Sequence, residues 1–242
     1  MCTVTYIPTE NGIFITSNRD EKINRKPASF PVTEKLGESV LLFPQDGQAG
    51  GSWIALKNNG DTGVLLNGGY VSHTPTPPYR KSRGLIFLSI LHEYSPIEKF
   101  KNIDLIDIEP FTLILFENKN LFECRWDGTN RHVLRLNQNK EYIWSSATLY
   151  SKEISGKRSD RFKNWRSHTT IDIESILAFH EFRDDNSNID DICLDQGLLK
   201  TVSVTSITIG TRGAEMTYKD MLPDVKKRKT SSISFDTKTQ LL

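Results

Sequence analysis

The segment from Thr3 to Thr16 constrains the chain more than any other. Thr3-Val4-Thr5-Tyr6-Ile7 and Ile13-Phe14-Ile15-Thr16 are β-branched and aromatic runs, and Thr9-Glu10-Asn11-Gly12 between them has hairpin-turn composition. Two registers are open. If residues 9–12 form a four-residue loop, Pro8 pairs with Ile13 and Cys2 lies opposite Arg19. If Asn11-Gly12 is a two-residue turn, Glu10 pairs with Ile13 and Cys2 lies opposite Glu21, with Arg19 one diagonal away. Side chains alternate along a strand, so Arg19 shares the face of Cys2 in both registers.

A second hairpin follows, Trp53-Ile54-Ala55-Leu56 and Gly63-Val64-Leu65-Leu66 around Asn58-Asn59-Gly60-Asp61. With Asn59-Gly60 at its centre, Asn67 falls opposite Ser52. Thr74-Pro75-Thr76-Pro77-Pro78-Tyr79 reads as an extended surface loop, positioned to cover a cleft near Asn67, and a helix capped by Ser82 is expected over 82–92. Strands over 111–117, 121–126, 132–136 and 142–144 suit a meander. Helices over 159–167 and 171–182, a strand over 201–209, and edge strands at 216–218 and 233–235 complete the pattern. Many antiparallel strands with a few helices indicate a layered α+β domain. No repeat or linker divides the chain, so residues 1–242 are expected to form one domain, with about 223–242 a polar extension or edge strand.

Charge narrows the partners. Lys and Arg number 31 against 30 Asp and Glu in 242 residues, a balance that leaves no electrostatic footprint for nucleic acid. Lys226-Lys227-Arg228-Lys229 reads as a solvated loop. Met1 to Tyr6 has neither a basic nor an apolar leader region, and no stretch reaches the ~20 apolar residues of a membrane span. The expectation is a soluble cytoplasmic protein that binds a small-molecule substrate or ligand; the sequence leaves the oligomeric state open. Cys2, Cys124 and Cys193 are odd in number and widely spaced, as suits a reducing compartment. His73, His92, His132, His168 and His180 form no metal-binding spacing, so no metal or resident cofactor is expected.

Cys2 carries the chemical interest. Removal of Met1 would leave a thiol and a free α-amine on one residue, titrating near ~8.5 and ~7.7, so one can take the proton the other gives up. Asn18-Arg19-Asp20-Glu21 supplies an Arg that favours a thiolate and carboxylates that can hold the amine or orient the Arg. The plainer reading is an exposed ion pair at a strand end. Asn67, between Gly50-Gly51-Ser52 and Gly68-Gly69, can act as an oxyanion donor beside backbone open to close approach, or can simply end a strand.

Together with Gly50-Gly51-Ser52-Trp53, Gly63-Val64-Leu65-Leu66-Asn67, Ser82-Arg83-Gly84 and Ser145-Ser146-Ala147-Thr148-Leu149, the Met1-Cys2 start and the Asn18-Arg19-Asp20-Glu21 tetrapeptide resemble the NRDE family, the proteins like Transport and Golgi organisation protein 2. That family in turn resembles the cysteine branch of the N-terminal nucleophile (Ntn) hydrolases, which includes penicillin V acylases and bile salt hydrolases. The resemblance implies a four-layer αββα sandwich, two antiparallel sheets between helical layers. It also implies hydrolysis of a non-peptide C–N amide bond through an N-terminal cysteine. Carried over by position, Cys2 is nucleophile and base, Arg19 and Asp20 polarise and orient it, and Asn67 is an oxyanion donor. Ser146 stands where the branch has a second Asn; Arg19 and Asp20 are adjacent where the branch separates them; and the strand over 201–206 lacks an Arg that many relatives carry. Family members are also linked to haem trafficking and to lipid or acyl-coenzyme A handling. Under that alternative the same cleft is a non-catalytic carrier site, with Arg19, Lys22, Arg25 and Lys26 attracting propionates or phosphates and haem as a carried ligand.

Overall fold

The computed structural model describes residues 3–184, 190–222 and 227–235. The first hairpin adopts one of the two open registers. In β1 (Thr3–Thr9) and β2 (Gly12–Lys22), Pro8 pairs with Ile13 and Val4 with Ser17. The turn is tighter than the expected loop, because Thr9 also pairs with Gly12. Cys2 lies outside the described residues.

Two antiparallel sheets of seven strands each are formed by the described residues. One follows the chain strand by strand: β3 (Val32–Leu36), β4 (Ser39–Phe43), β5 (Ile54–Lys57), β6 (Thr62–Asn67), β7 (Phe111–Glu117), β8 (Asn120–Trp126) and β9 (Arg131–Leu136). The other gathers distant segments. β10 (Tyr142–Ser145) pairs with β1, β1 with β2, and β2 with β12 (Leu199–Ile209); β13 (Gly213–Asp220) and β14 (Arg228–Ser234) follow, and β11 (Asp195–Gln196) flanks β12.

The helices are α1 (Arg83–Leu91), α2 (Pro96–Asn102), α3 (Lys152–Ser167) and α4 (Ile173–His180). Ile86, Phe87, Ile90, Ile97 and Phe100 of α1 and α2 pack on Leu41, Ala55, Leu113 and Leu115 of the meander sheet. On the far side, Phe162 of α3 with Ile176 and Phe179 of α4 packs on Ile7. Between the sheets, Val4, Tyr6, Ile15, Ile207 and Met216 meet Leu42, Ile54, Val64, Ile114 and Phe116. The order is helix, sheet, sheet, helix, which is the expected αββα sandwich.

Several local expectations need correction. The segment over 142–144 does not extend the meander. Its aromatic residues Tyr142 and Trp144, stacked with centroids 5.4 Å apart, pack against the inter-sheet core from β1's edge, with Val4 paired to Trp144. The segment over 216–218 is not an edge strand, because β14 covers its outer side. Helix α3 begins at Lys152, well before 159, with Ser151 accepting from Ile154 N. Strands β3 and β4 and helix α2 were not anticipated; β3 is exposed throughout, so its sequence carries little burial signal. In the second hairpin Ile54 pairs with Val64, one residue away from the expected register. The cause is a three-residue loop: Lys57 N donates to Asp61 O, Gly60 N donates to Lys57 O, and Gly60 sits at φ +92°. Asn67 consequently does not face Ser52; on its other side it pairs with Phe111 of β7.

Helix α1 can lie on the sheet because residue 63 has no side chain. A Cβ on Gly63 would stand 2.6 Å from the Phe87 ring. Gly63→Val is therefore expected to cost about 1–3 kcal/mol in urea unfolding, and Phe87→Leu should restore part of that loss.

Candidate active site

Alternation along β2 sends its charged residues to opposite faces. Ile15 faces the inter-sheet core, and the same parity carries Arg19 into the space between the sheets. There Arg19 is only 5% exposed, its guanidinium lies 4.7 Å from the Trp53 ring centroid, and it donates to the Asp46 carboxylate. Arg25 donates to the same carboxylate at 3.0 and 3.1 Å, and Gln48 N and Ala49 N donate to its Oδ1. Burial alone would raise the Asp46 carboxyl. Donation from Arg25 and Ala49 and the charge of Arg19 outweigh it, and the group is held at about 2. Asp46 is thus a fixed anion that aims Arg19.

Asp20 points the other way, into the layer beneath α3, and is completely buried. Its carboxylate accepts from Tyr150 Oη at 2.8 Å and Thr201 Oγ1 at 2.6 Å. A bulge makes the second bond possible. Thr201 pairs with Asp20 while Ser203 pairs with Arg19, so Val202 is the extra residue beside this pair. Burial raises the Asp20 carboxyl above the usual range despite these donors and the nearby Arg158 charge.

Arg158 is the largest fully buried side chain among the described residues. It reaches from α3 to donate to Thr3 Oγ1 at 2.6 Å and to the Asp191 carbonyl, and its guanidinium stacks 3.6 Å over the Tyr150 ring. The start of β1, Asp20's partner Tyr150 and the 191 segment therefore share one cation. Asn18 completes the buried face: its Nδ2 donates to the His180 and Ile192 carbonyls, and its Oδ1 meets His180 Nδ1. Thr5 Oγ1 lies 2.8 Å from His180 Nε2. Burial, then repulsion from Arg158, pushes His180 down to about 3, so the ring is neutral.

Asn67 lies half-buried at the end of β6, in a cleft of about 460 Å³ that Arg19, Asp46 and Trp53 also line. Among the described residues its side chain has no hydrogen-bond partner. Ser146 is fully buried; its hydroxyl donates to the Asn67 carbonyl at 2.9 Å and meets Thr148 Oγ1, so it anchors the strand end that presents Asn67. The nearby glycines admit other parts of the chain: a Cβ on Gly51 would strike Gly84 of α1 at 2.4 Å, and one on Gly68 would strike Thr148 at 2.8 Å. The Pro-rich loop borders the cleft through Tyr79, whose hydroxyl accepts from Thr76 N. The structure thus brings Arg19 and Asn67 to one cleft, puts Asp20 behind the sheet, and places Ser146 as a support.

The sequence pattern missed Asp46, Tyr150 and Arg158. Asp46 sits in a loop, where nothing in the pattern marks a partner for Arg19. Arg158 did leave a signal: it stands four residues before Phe162, on the stripe that faces the core. A cation on a buried helical stripe needs partners.

The model of the family Transport and Golgi organisation 2 matches residues 1–218 of the sequence. The chain belongs to this family. No curated protein sequence matches it. Among solved structures, the fold is similar to that of a Caenorhabditis elegans ortholog of N-acylethanolamine-hydrolyzing acid amidase, with TM-score 0.59 and 10% identity over 85% of this chain and 92% of that one. A mutant of the conjugated bile acid hydrolase from Clostridium perfringens aligns over 96% of both chains with TM-score 0.48 and 11% identity. The likeness of this chain to the amidase ortholog is one of fold.

No cluster of three or more metal-ligating side chains occurs among the described residues, and no helix among them is long and apolar enough to cross a membrane. Each of the five histidines is engaged: His73 with Glu109, His92 with Glu34 and Ser39, His132 with Asp127, His168 with Ser167 and the Asn164 carbonyl, and His180 as above.

Two outcomes are expected of this family member's buried face. Arg158→Leu removes the donor to Thr3 and the Asp191 carbonyl and should cost about 3 kcal/mol in urea unfolding, with Arg158→Lys recovering part. His180 titrates near ~6.5 in an unfolded chain, and only the unfolded chain holds its proton between that value and about 3. Its contribution to stability is whole above ~6.5 and is lost as pH falls through that window. His180→Gln should flatten that slope relative to the parent in unfolding titrations from about pH 7 to about pH 4.

Proposed function

We propose that the chain is an amidohydrolase that cleaves a non-peptide C–N bond with Cys2, after removal of Met1. The reading rests chiefly on Arg19, a buried guanidinium aimed by Asp46 into a cleft that also holds Asn67. The pairing of Pro8 with Ile13 is the register under which the sequence pattern sets Cys2 opposite Arg19. The α-amine of Cys2 takes the thiol proton and Arg19 favours the thiolate. The thiolate sulfur attacks the amide carbon, and the carbonyl oxygen becomes an oxyanion that the Asn67 amide can receive. The protonated α-amine returns the proton to the leaving nitrogen, the C–N bond breaks, and a thioester remains. Water, deprotonated by the same amine, attacks the thioester and releases a carboxylic acid and the free thiol. Asp20, Tyr150 and Arg158 hold the strand from behind.

Intact mass and labelling test this directly. The protein from its own host should lack Met1 and react with one equivalent of iodoacetamide at neutral pH, at Cys2, with Cys2→Ala abolishing label and hydrolysis. Retention of Met1 would sink the amine-assisted mechanism. Asn67→Ala should lower kcat by about 100-fold while leaving the labelling rate unchanged, since alkylation develops no oxyanion.

A further inference from the structure

The lining of the cleft carries information about what enters it. Deep sites for long acyl chains are walled by apolar side chains, because each buried methylene contributes little and needs apolar surface against it. Here the apolar lining comes down to Ala49, Leu65, Trp53 and the Tyr79 ring. The Trp53 face is already taken by the Arg19 guanidinium. Among the described residues that line it, no apolar stripe remains for a chain of lipid length.

Charges occupy the rest. Glu21 and Arg25 at the end of β2, Lys81 and Arg83 at the start of α1, and Glu109 before β7 all line the same space. Glu109 pairs with Arg83 at 3.0 Å and with His73 at 3.2 Å. Glu21 Oε1 accepts from Lys22 N at 2.9 Å, while its Oε2 lies 3.6 Å from Arg25 and 4.0 Å from Arg19 and so keeps acceptor capacity. Arg83 lines the same cleft as Glu21 and Arg25, so the end of β2 and the start of α1 border one space. Lys81 has no ion-pair partner among the described residues. Trp53 is buried, and its Nε1 finds no acceptor among them. The cleft thus offers a carboxylate oxygen, Glu21 Oε2, outside hydrogen-bond distance of its arginine neighbours and an ammonium, Lys81, without an ion-pair partner among the described residues.

We infer that the amide this cleft accepts is small and polar and carries an amino-acid-type zwitterion, its ammonium group against Glu21 and its carboxylate against Lys81, in place of a long acyl chain. The inference rests on the amidohydrolase reading for the bond cleaved, but not for the ligand bound. The test compares γ-glutamyl and palmitoyl amides of one fluorogenic amine, 7-amino-4-methylcoumarin, on the Met1-processed protein. The γ-glutamyl amide is expected to show at least about 10-fold higher kcat/KM. Lys81→Glu should raise its KM several-fold with kcat little changed, the signature of lost ground-state binding. Preference for the palmitoyl amide, or a KM indifferent to Lys81→Glu, overturns the inference. If neither amide is cleaved, calorimetry on the Cys2→Ala protein decides. Glutamine binding that Lys81→Glu abolishes keeps the ligand class and removes the hydrolase reading. Tighter binding of N-palmitoylethanolamine, or binding of neither compound, removes the ligand class.

Discussion

Strand β2 hydrogen-bonds to β1 on one side and to β12 on the other, and its alternation decides what each layer of the molecule can do. Odd positions 15 and 19 go to the space between the sheets and even positions 14, 18 and 20 to the layer beneath α3 and α4. A slip of one residue would put Ile15 under the helices and Asp20 against Trp53, exchanging the two chemistries. Both neighbours and the Val202 bulge hold that register, which is why adjacent residues Arg19 and Asp20 can serve unlike environments with no contact between their side chains among the bonds they form.

The two environments are unlike in physical terms. On the cleft side, Arg19 is balanced by an anion whose own proton has been driven far below neutrality, so the ion pair persists across any working pH. On the buried side, Asp20 has its carboxyl raised and is satisfied by two hydroxyls, with Arg158 close by but bonded elsewhere. A buried charge that loses its partners is costly, whereas an array whose polar atoms are bonded rigidifies what it touches. What it touches here is the first described residue of β1, so the fold spends a buried cation on fixing a strand end.

Much of this was legible in the sequence because it depends on period-two alternation. The strand character of 3–7, 54–56, 63–66 and 201–209 follows from β-branched residues between turn residues. What was not legible is whatever depends on distance along the chain. Asp46 reaches Arg19 across 27 residues and Tyr150 reaches Asp20 across 130, and no local pattern encodes either meeting. The register of β5 and β6 failed for a local reason, since Asn58-Asn59-Gly60 can close as a two- or three-residue loop and only the Lys57–Asp61 bond decides between them. The fate of β10 failed for a tertiary one: a four-residue strand has too few side chains to specify which sheet it joins, and the aromatic pair Tyr142 and Trp144 finds its burial beside Tyr6.

Ser146 shows how such a fold tolerates a change of residue at a site. Its hydroxyl is committed to the Asn67 carbonyl and to Thr148, so it contributes by fixing the backbone from which the Asn67 amide projects. A longer amide at 146 would have to leave this fully buried position or displace Thr148, because Gly68 already packs at contact distance on the 147–148 segment. Asn67 lines the cleft with a side-chain amide that has no hydrogen-bond partner among the described residues. That amide lines the same cleft as the Arg19 guanidinium, which the Asp46 carboxylate holds in place.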